Sequence, residues 1–148
     1  MKIMKTSEMI ALTAAVLAIV ALLAVGVFAQ SAPFRFLGPL SRVLTPNGDG
    51  KNDMAIFCFD NPSDSDISGN IYSLLGSVVA TMGPRMASSV SGPGAGCIST
   101  YGPGALGSSS QTMTWDGRSN GSAVAGGIYV YRITAELKSY TGTLIVVK

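Results

Sequence analysis

Residues 126–148 read GGIYVYRITAELKSYTGTLIVVK. Successive side chains of an extended chain point to opposite faces. Tyr129, Tyr131, Ile133 and Ala135 therefore share one side, and Arg132 and Thr134 share the other. The Tyr/Ile side is expected to face a core. Lys138–Gly142 reads as a turn. Leu144–Val147 is apolar at every position and reads as a strand buried on both faces. The stretch thus gives two strands, 127–136 and 140–147, separated by that turn.

Working outward, short β-rich runs recur near 34–44, 54–59, 67–73, 77–82 and 111–115, separated by Gly, Pro, Asn, Asp and Ser. After residue 30 no window repeats apolar residues at helical spacing over three turns. This pattern predicts an all-β fold, an Ig-like or fibronectin-III-like antiparallel β-sandwich of about seven strands. In 54–59, Met54, Ile56 and Cys58 share one face and Ala55, Phe57 and Phe59 the other. Residues 83–110 carry seven Gly and three Pro with many Ser. Such a composition buries too little apolar surface to offset its ordering entropy, so it reads as an insertion in a domain spanning 44–148.

The N-terminus is of another kind. Lys2 and Lys5 precede Met9–Ala29, which carries no charge and ends Val-Phe-Ala before Gln30. A basic start, an apolar stretch and a small-x-small site read as a secretory signal over 1–29. The run is also long enough to span a bilayer, so an uncleaved membrane anchor over 9–29 is the alternative. Residues 30–43 are an N-terminal extension or first strand. Their apolar run has no evident role inside the domain, so residues 31–44 are expected to mediate self-association by donation to a neighbour's sheet edge.

Composition narrows the function. The leader takes Lys2, Lys5 and Glu8 from ten basic and eight acidic residues, leaving eight and seven with no basic cluster. Nucleic-acid binding needs a concentrated basic patch, so no nucleic-acid partner is expected. Two cysteines remain, Cys58 and Cys97, and an even count in an exported chain favours a disulfide. There is no His. That disfavours zinc, which wants about four Cys or His ligands, and leaves Ser without its usual base. The acids Asp49, Asp53, Asp60, Asp64, Asp66 and Asp116 fall in loops. No enzymatic activity is expected.

Two motifs stand out. In Leu44–Asp53, LTPNGDGKND, the side chains of Asn47, Asp49 and Asp53 and the carbonyl of Lys51 alternate. Hard cations take six to eight oxygens, and such a loop can wrap calcium. Position 58, where an EF-type loop would carry Glu, is Cys. The competing reading is a pair of tight turns, since Asn-Gly and Asp-Gly are turn dipeptides. In Thr114–Ile133, Trp115 ends a strand, Asp116-Gly117 and Asn120-Gly121 make turns, and Gly126-Gly127 leads into the aromatic strand. Trp115 reads as a core plug, with a sugar-binding surface as the alternative.

With ISGNIYSLLGSVVATM at Ile67–Met82, these motifs form an ordered set. It resembles the Ig-like C-terminal domains of gliding-motility-associated and type IX secretion cargo proteins. It is also similar to the Ig-like domain of flagellar hook-capping proteins. The matching positions lie in Thr45–Asp53, Ile71–Val79 and Trp115–Ile133, and include Tyr72, Gly76, Trp115, Asp116, Gly117, Gly127, Tyr129 and Tyr131. The resemblance implies a β-sandwich, strengthens the calcium reading, and implies a sorting and attachment role read by secretion machinery or a cell-surface component. The leading expectation is a secreted, non-enzymatic structural or cell-surface module, able to self-assemble. Type IX sorting and carbohydrate binding are the alternatives.

Overall fold

A computed structural model describes residues 32–89, 91–102 and 109–148. The leader or anchor expected over 1–29 lies outside them, as does 103–108 of the insertion. The elements in chain order are β1 (Arg35–Pro39), β2 (Val43–Leu44), β3 (Ala55–Asp60), β4 (Ile67–Ser73), β5 (Val78–Thr81), β6 (Met86–Ala87), α1 (Ala95–Tyr101), β7 (Ser110–Trp115), β8 (Arg118–Ser119), β9 (Ser122–Ala123), β10 (Gly127–Ala135) and β11 (Lys138–Val146).

The strands form two layers. One sheet has the order β1-β3-β7-β6 and the other β2-β11-β10-β4-β5, with β8-β9 a small hairpin beside them. The chain is an all-β sandwich, antiparallel except where β2 runs parallel to β11. Phe57 and Phe59 from one sheet and Ile71, Tyr131, Ile133 and Leu144 from the other fill the space between them. The Phe57 and Tyr131 rings meet edge-on at 5.0 Å. Fully burying each such side chain stabilises the fold by about 1.5–3 kcal/mol. Tyr129, Tyr131, Ile133 and Ala135 face inward as the alternation of the C-terminal stretch requires.

That stretch folds differently in two respects. The turn lies at Glu136–Leu137, not at 138–142, and both residues have positive φ, 48° and 63°. Such a pair twists to match the strands on either side, and the Glu136 carboxylate anchors it by accepting from Phe34 N at 3.0 Å and Ser65 Oγ at 2.8 Å. The final run is also not buried on both faces. Leu144 and Val146 are inside, while Ile145 and Val147 are 43% and 45% exposed.

The run 34–44 is not one strand. It breaks after Pro39 and changes layers: β1 pairs with β3, and β2 with β11. Phe34 and Leu44 are buried. The run therefore has a place in the chain's own sheets, and donation to a neighbour would have to be an exchange between copies.

The insertion is more ordered than its composition suggests. It holds β6 and the helix α1, which ends at Gly102 with φ 76°. Cys97 on α1 is disulfide-bonded to Cys58 on β3, with Cα atoms 5.6 Å apart. Leu37, Leu40, Ile56, Ile98 and Tyr101 pack around the bridge as a second apolar cluster on the outer side of the first sheet.

Two outcomes test this packing. Gly142 sits opposite Tyr131 in the β10–β11 ladder, and a Cβ there would run into the tyrosine ring. Gly142→Ala should cost about 1–3 kcal/mol in urea denaturation, the usual range for overpacking. Burial also pushes the Tyr131 hydroxyl above the ordinary tyrosine value of 10.0. The unfolded chain then ionises first as pH rises, so stability is kept below pH 10.0 and falls above it. Tyr131→Phe should flatten that alkaline fall in denaturation curves compared across pH.

Candidate functional site

The Thr45–Asp53 loop joins β2 to β3, so it carries the chain from one sheet to the other at one end of the sandwich. Its Gly and Asn positions serve this path: Gly48 and Gly50 both have φ 83°, and Asn52 has φ 54°. Only Gly adopts such a φ without steric cost, and Asn tolerates it better than most residues.

The side chains then close the loop on itself. Asp53 accepts from Gly48 N through one carboxylate oxygen and from Gly50 N through the other, both at 2.6 Å. Asp49 accepts from Lys51 N at 2.8 Å and from Asn47 Nδ2 at 3.2 Å. Asn47 Oδ1 accepts from Asp49 N at 3.1 Å. The Lys51 carbonyl accepts from Thr45 Oγ1 at 3.0 Å. Each oxygen named in the sequence as a calcium donor is thus gathered here, and each already accepts a hydrogen bond. A cation would have to share them with N–H and O–H donors. Among the described residues no three His, Cys, Asp or Glu side chains gather as a metal cluster. The donor set fits a carboxylate-closed turn better than a cage of six or more oxygens.

The second motif packs against this loop. Gly117, with φ 72°, sits so close that a Cβ there would lie 3.1 Å from both Leu44 and Pro46. Asp116 accepts from Arg118 N at 3.1 Å. Between the motifs lies a cleft of about 200 Å³ lined by Pro46, Gly48, Asp53, Met54, Asp116 and Arg118. A larger cleft of about 440 Å³ opens on the other side of Asp53 and Met54, towards Leu40, Ile56 and Pro93.

Trp115 is a core plug, 3% exposed. Its indole N–H donates to the Arg118 carbonyl at 2.9 Å, and its ring meets Tyr129 edge-on at 5.5 Å. It offers no stacking face to a sugar. Tyr129 Oη donates to the Ala125 carbonyl. Gly127 begins β10, and Gly76 makes the turn between β4 and β5 with φ 83°. Tyr72 stands on the outer face of the second sheet, with Arg132 over its ring at 5.4 Å. These positions support the fold and do not converge on a reactive centre.

Sequence reasoning missed a polar cluster at the opposite end of the sandwich. Asn61, 2% exposed, donates to the Ser65 carbonyl and to Gln111 Oε1, both at 3.0 Å. Arg85 and Gln111 bind the Asp64 carboxylate at 2.6 and 3.2 Å. The hydrogen bond from Gln111 and then the Arg85 guanidinium hold that carboxyl below its usual range. Arg85 and Gln111 are far in sequence from the 61–65 segment they bind, and no local pattern links them to it.

The chain matches no family model and no curated protein.

The loop geometry gives a direct test. Asp53→Ala should leave two loop amides without their acceptor and lower stability by about 1–3 kcal/mol. The loss should be the same in EDTA and in calcium. If instead calcium raises the melting temperature and Asp49→Ala abolishes the rise, the loop holds a cation.

Proposed function

We propose that this chain is an exported, non-enzymatic sandwich module with a structural or cell-surface role. The carrying observation is the buried Cys58–Cys97 bridge, with both residues 0% exposed. It ties a Gly/Pro/Ser-rich segment to the sheet, and such bridges persist in oxidising compartments outside the cytosol. The charge-free Met9–Ala29 run after a basic start supports the same reading, since it supplies an export signal. Calcium at Asn47, Asp49, Lys51 and Asp53 is not required by this reading.

Sorting and attachment through secretion machinery is a second reading. It is favoured by the contact of Gly117 with Leu44 and Pro46, which joins two of the three family-like motifs. A reporter carrying residues 1–29 at its N-terminus and residues 32–148 at its C-terminus should then be exported and attached in a host with a type IX system. Retention in the periplasm would count against it. Residues 32–43 belong in the fusion because β1 and Phe34 are part of the sandwich.

Intact-mass measurement and negative-stain imaging of native material test the leading reading. The expected mass is that of residues 30–148 less two hydrogens, with particles larger than single domains. A full-length chain with two free thiols would overturn export.

A further inference from the structure

The chain has two Asn-Gly pairs, Asn47-Gly48 and Asn120-Gly121. Both lie in exposed loops. An Asn-Gly peptide is chemically labile because Gly puts no side chain in the way of ring closure. The Gly amide nitrogen attacks the Asn carboxamide carbon, the bond from that carbon to the side-chain nitrogen breaks, and ammonia leaves. Water then opens the succinimide ring at either carbonyl, which gives Asp or isoaspartate. The attack has two requirements. The Gly N–H must give up its proton, and the Asn side chain must swing back onto that nitrogen.

The first pair is held against both. Gly48 N donates to the Asp53 carboxylate at 2.6 Å. A negative charge beside the amide disfavours the second negative charge that its deprotonation would create. The Asn47 carboxamide is turned towards residue 49: its Oδ1 accepts from Asp49 N at 3.1 Å and its Nδ2 donates to Asp49 at 3.2 Å. The other Asp53 oxygen takes Gly50 N at 2.6 Å, the amide that would attack Asp49 with loss of water. One carboxylate thus occupies the attacking nitrogen of both labile steps in this loop.

The second pair has none of these ties. Asn120 and Gly121 form the turn between β8 and β9, with φ 49° and 81°. The Gly121 carbonyl accepts from Arg118 at 3.0 Å. Among the described residues no hydrogen bond holds the Gly121 N–H or the Asn120 carboxamide. β8 and β9 have 2 residues each, so the turn opens locally at small cost and its peptide can rotate into the attacking geometry.

We propose that Asn120 is a site of spontaneous deamidation and isoaspartate formation, and that Asp53 protects Asn47 from the same reaction. The inference goes beyond the export reading and does not depend on it, because the reaction needs only water. Conversion puts a new carboxylate at the tip of the β8–β9 hairpin, and the isoaspartyl product also lengthens the backbone there by a methylene. That hairpin is tied to the edge of β5, where Ser119 Oγ donates to the Val79 carbonyl at 2.6 Å.

Peptide mapping that separates Asn, Asp and isoaspartate, on the full-length chain aged at neutral pH, tests this. The same chain in urea gives the unprotected rate of each site. Relative to that rate, folding should slow Asn47 at least about fivefold more than Asn120. Asp53→Ala should raise the Asn47 rate at least about fivefold and leave the Asn120 rate at its folded value. Asp53→Asn keeps the shape and an acceptor oxygen but not the charge, and should move Asn47 in the same direction with Asn120 again unmoved. Equal slowing of the two sites on folding, or an Asn47 rate unmoved in both variants, overturns the proposal. Equal acceleration of both sites in both variants would assign the protection of Asn47 to global stability and also overturn it.

Discussion

Strand β3 is packed on both of its faces, with only Ile56 and Asp60 half-buried. Ala55, Phe57 and Phe59 point into the space between the sheets, and Cys58 is fully buried on the other side beneath α1. An antiparallel sheet usually keeps one face wet. Here the outer side of the four-stranded sheet is apolar at Leu37, Leu40 and Ile56 and must be covered. The only cover among the described residues is a segment too rich in Gly, Pro and Ser to fold alone. The Cys58–Cys97 bond resolves this mutual need: it holds the helix on the strand, and the cluster around it keeps the helix ordered. Closing a loop with a sequence separation of 39 contributes roughly 3–4 kcal/mol in the chain-entropy model.

The rest of the molecule builds outward from that two-sided strand. The loop preceding β3 is closed by the Asp53 carboxylate, whose two oxygens take up the amides of Gly48 and Gly50. Gly117 then seats the Trp115 hairpin against Leu44 and Pro46. One end of the sandwich is fixed by these local hydrogen bonds. The other is fixed by Asn61, Glu136 and their long-range partners. The five-stranded sheet, by contrast, leaves apolar side chains at Val43, Ile128 and Ile145 facing out. The sheets thus differ in kind: one has a covalent cover and the other presents its outer face.

Much of this was legible in the sequence because it is local. Alternation placed Tyr129, Tyr131 and Ile133 inside, and separated Phe57 from Cys58, since a strand offers only two faces. The even cysteine count anticipated the bridge. What could not be read depends on distant partners. The break between β1 and β2 follows from which sheet edge each half meets. Helix α1 has weak intrinsic propensity, with Gly94 before it and Gly96 within it. It forms because tertiary packing overrides propensity. The polar Lys138–Gly142 run looked like a turn, yet the bend falls at Glu136–Leu137, where the Glu136 carboxylate is tied to Phe34 and Ser65. In the candidate site, the turn residues and putting Asn47, Asp49 and Asp53 on one loop were legible. Their use as acceptors for the loop's own amides was not, because spacing alone does not separate a cation cage from a self-closed turn.

The central claim is that the sandwich stands on its inner core, while the helical cover stands on the bridge. Limited proteolysis of the full-length Cys58→Ala/Cys97→Ala variant, with the fragments mapped by mass, tests it most directly. The account predicts early cleavage confined to residues 88–102, with 110–146 surviving as the intact chain of wild type does. Unchanged resistance across 88–102, or simultaneous loss of β10 and β11, would contradict it.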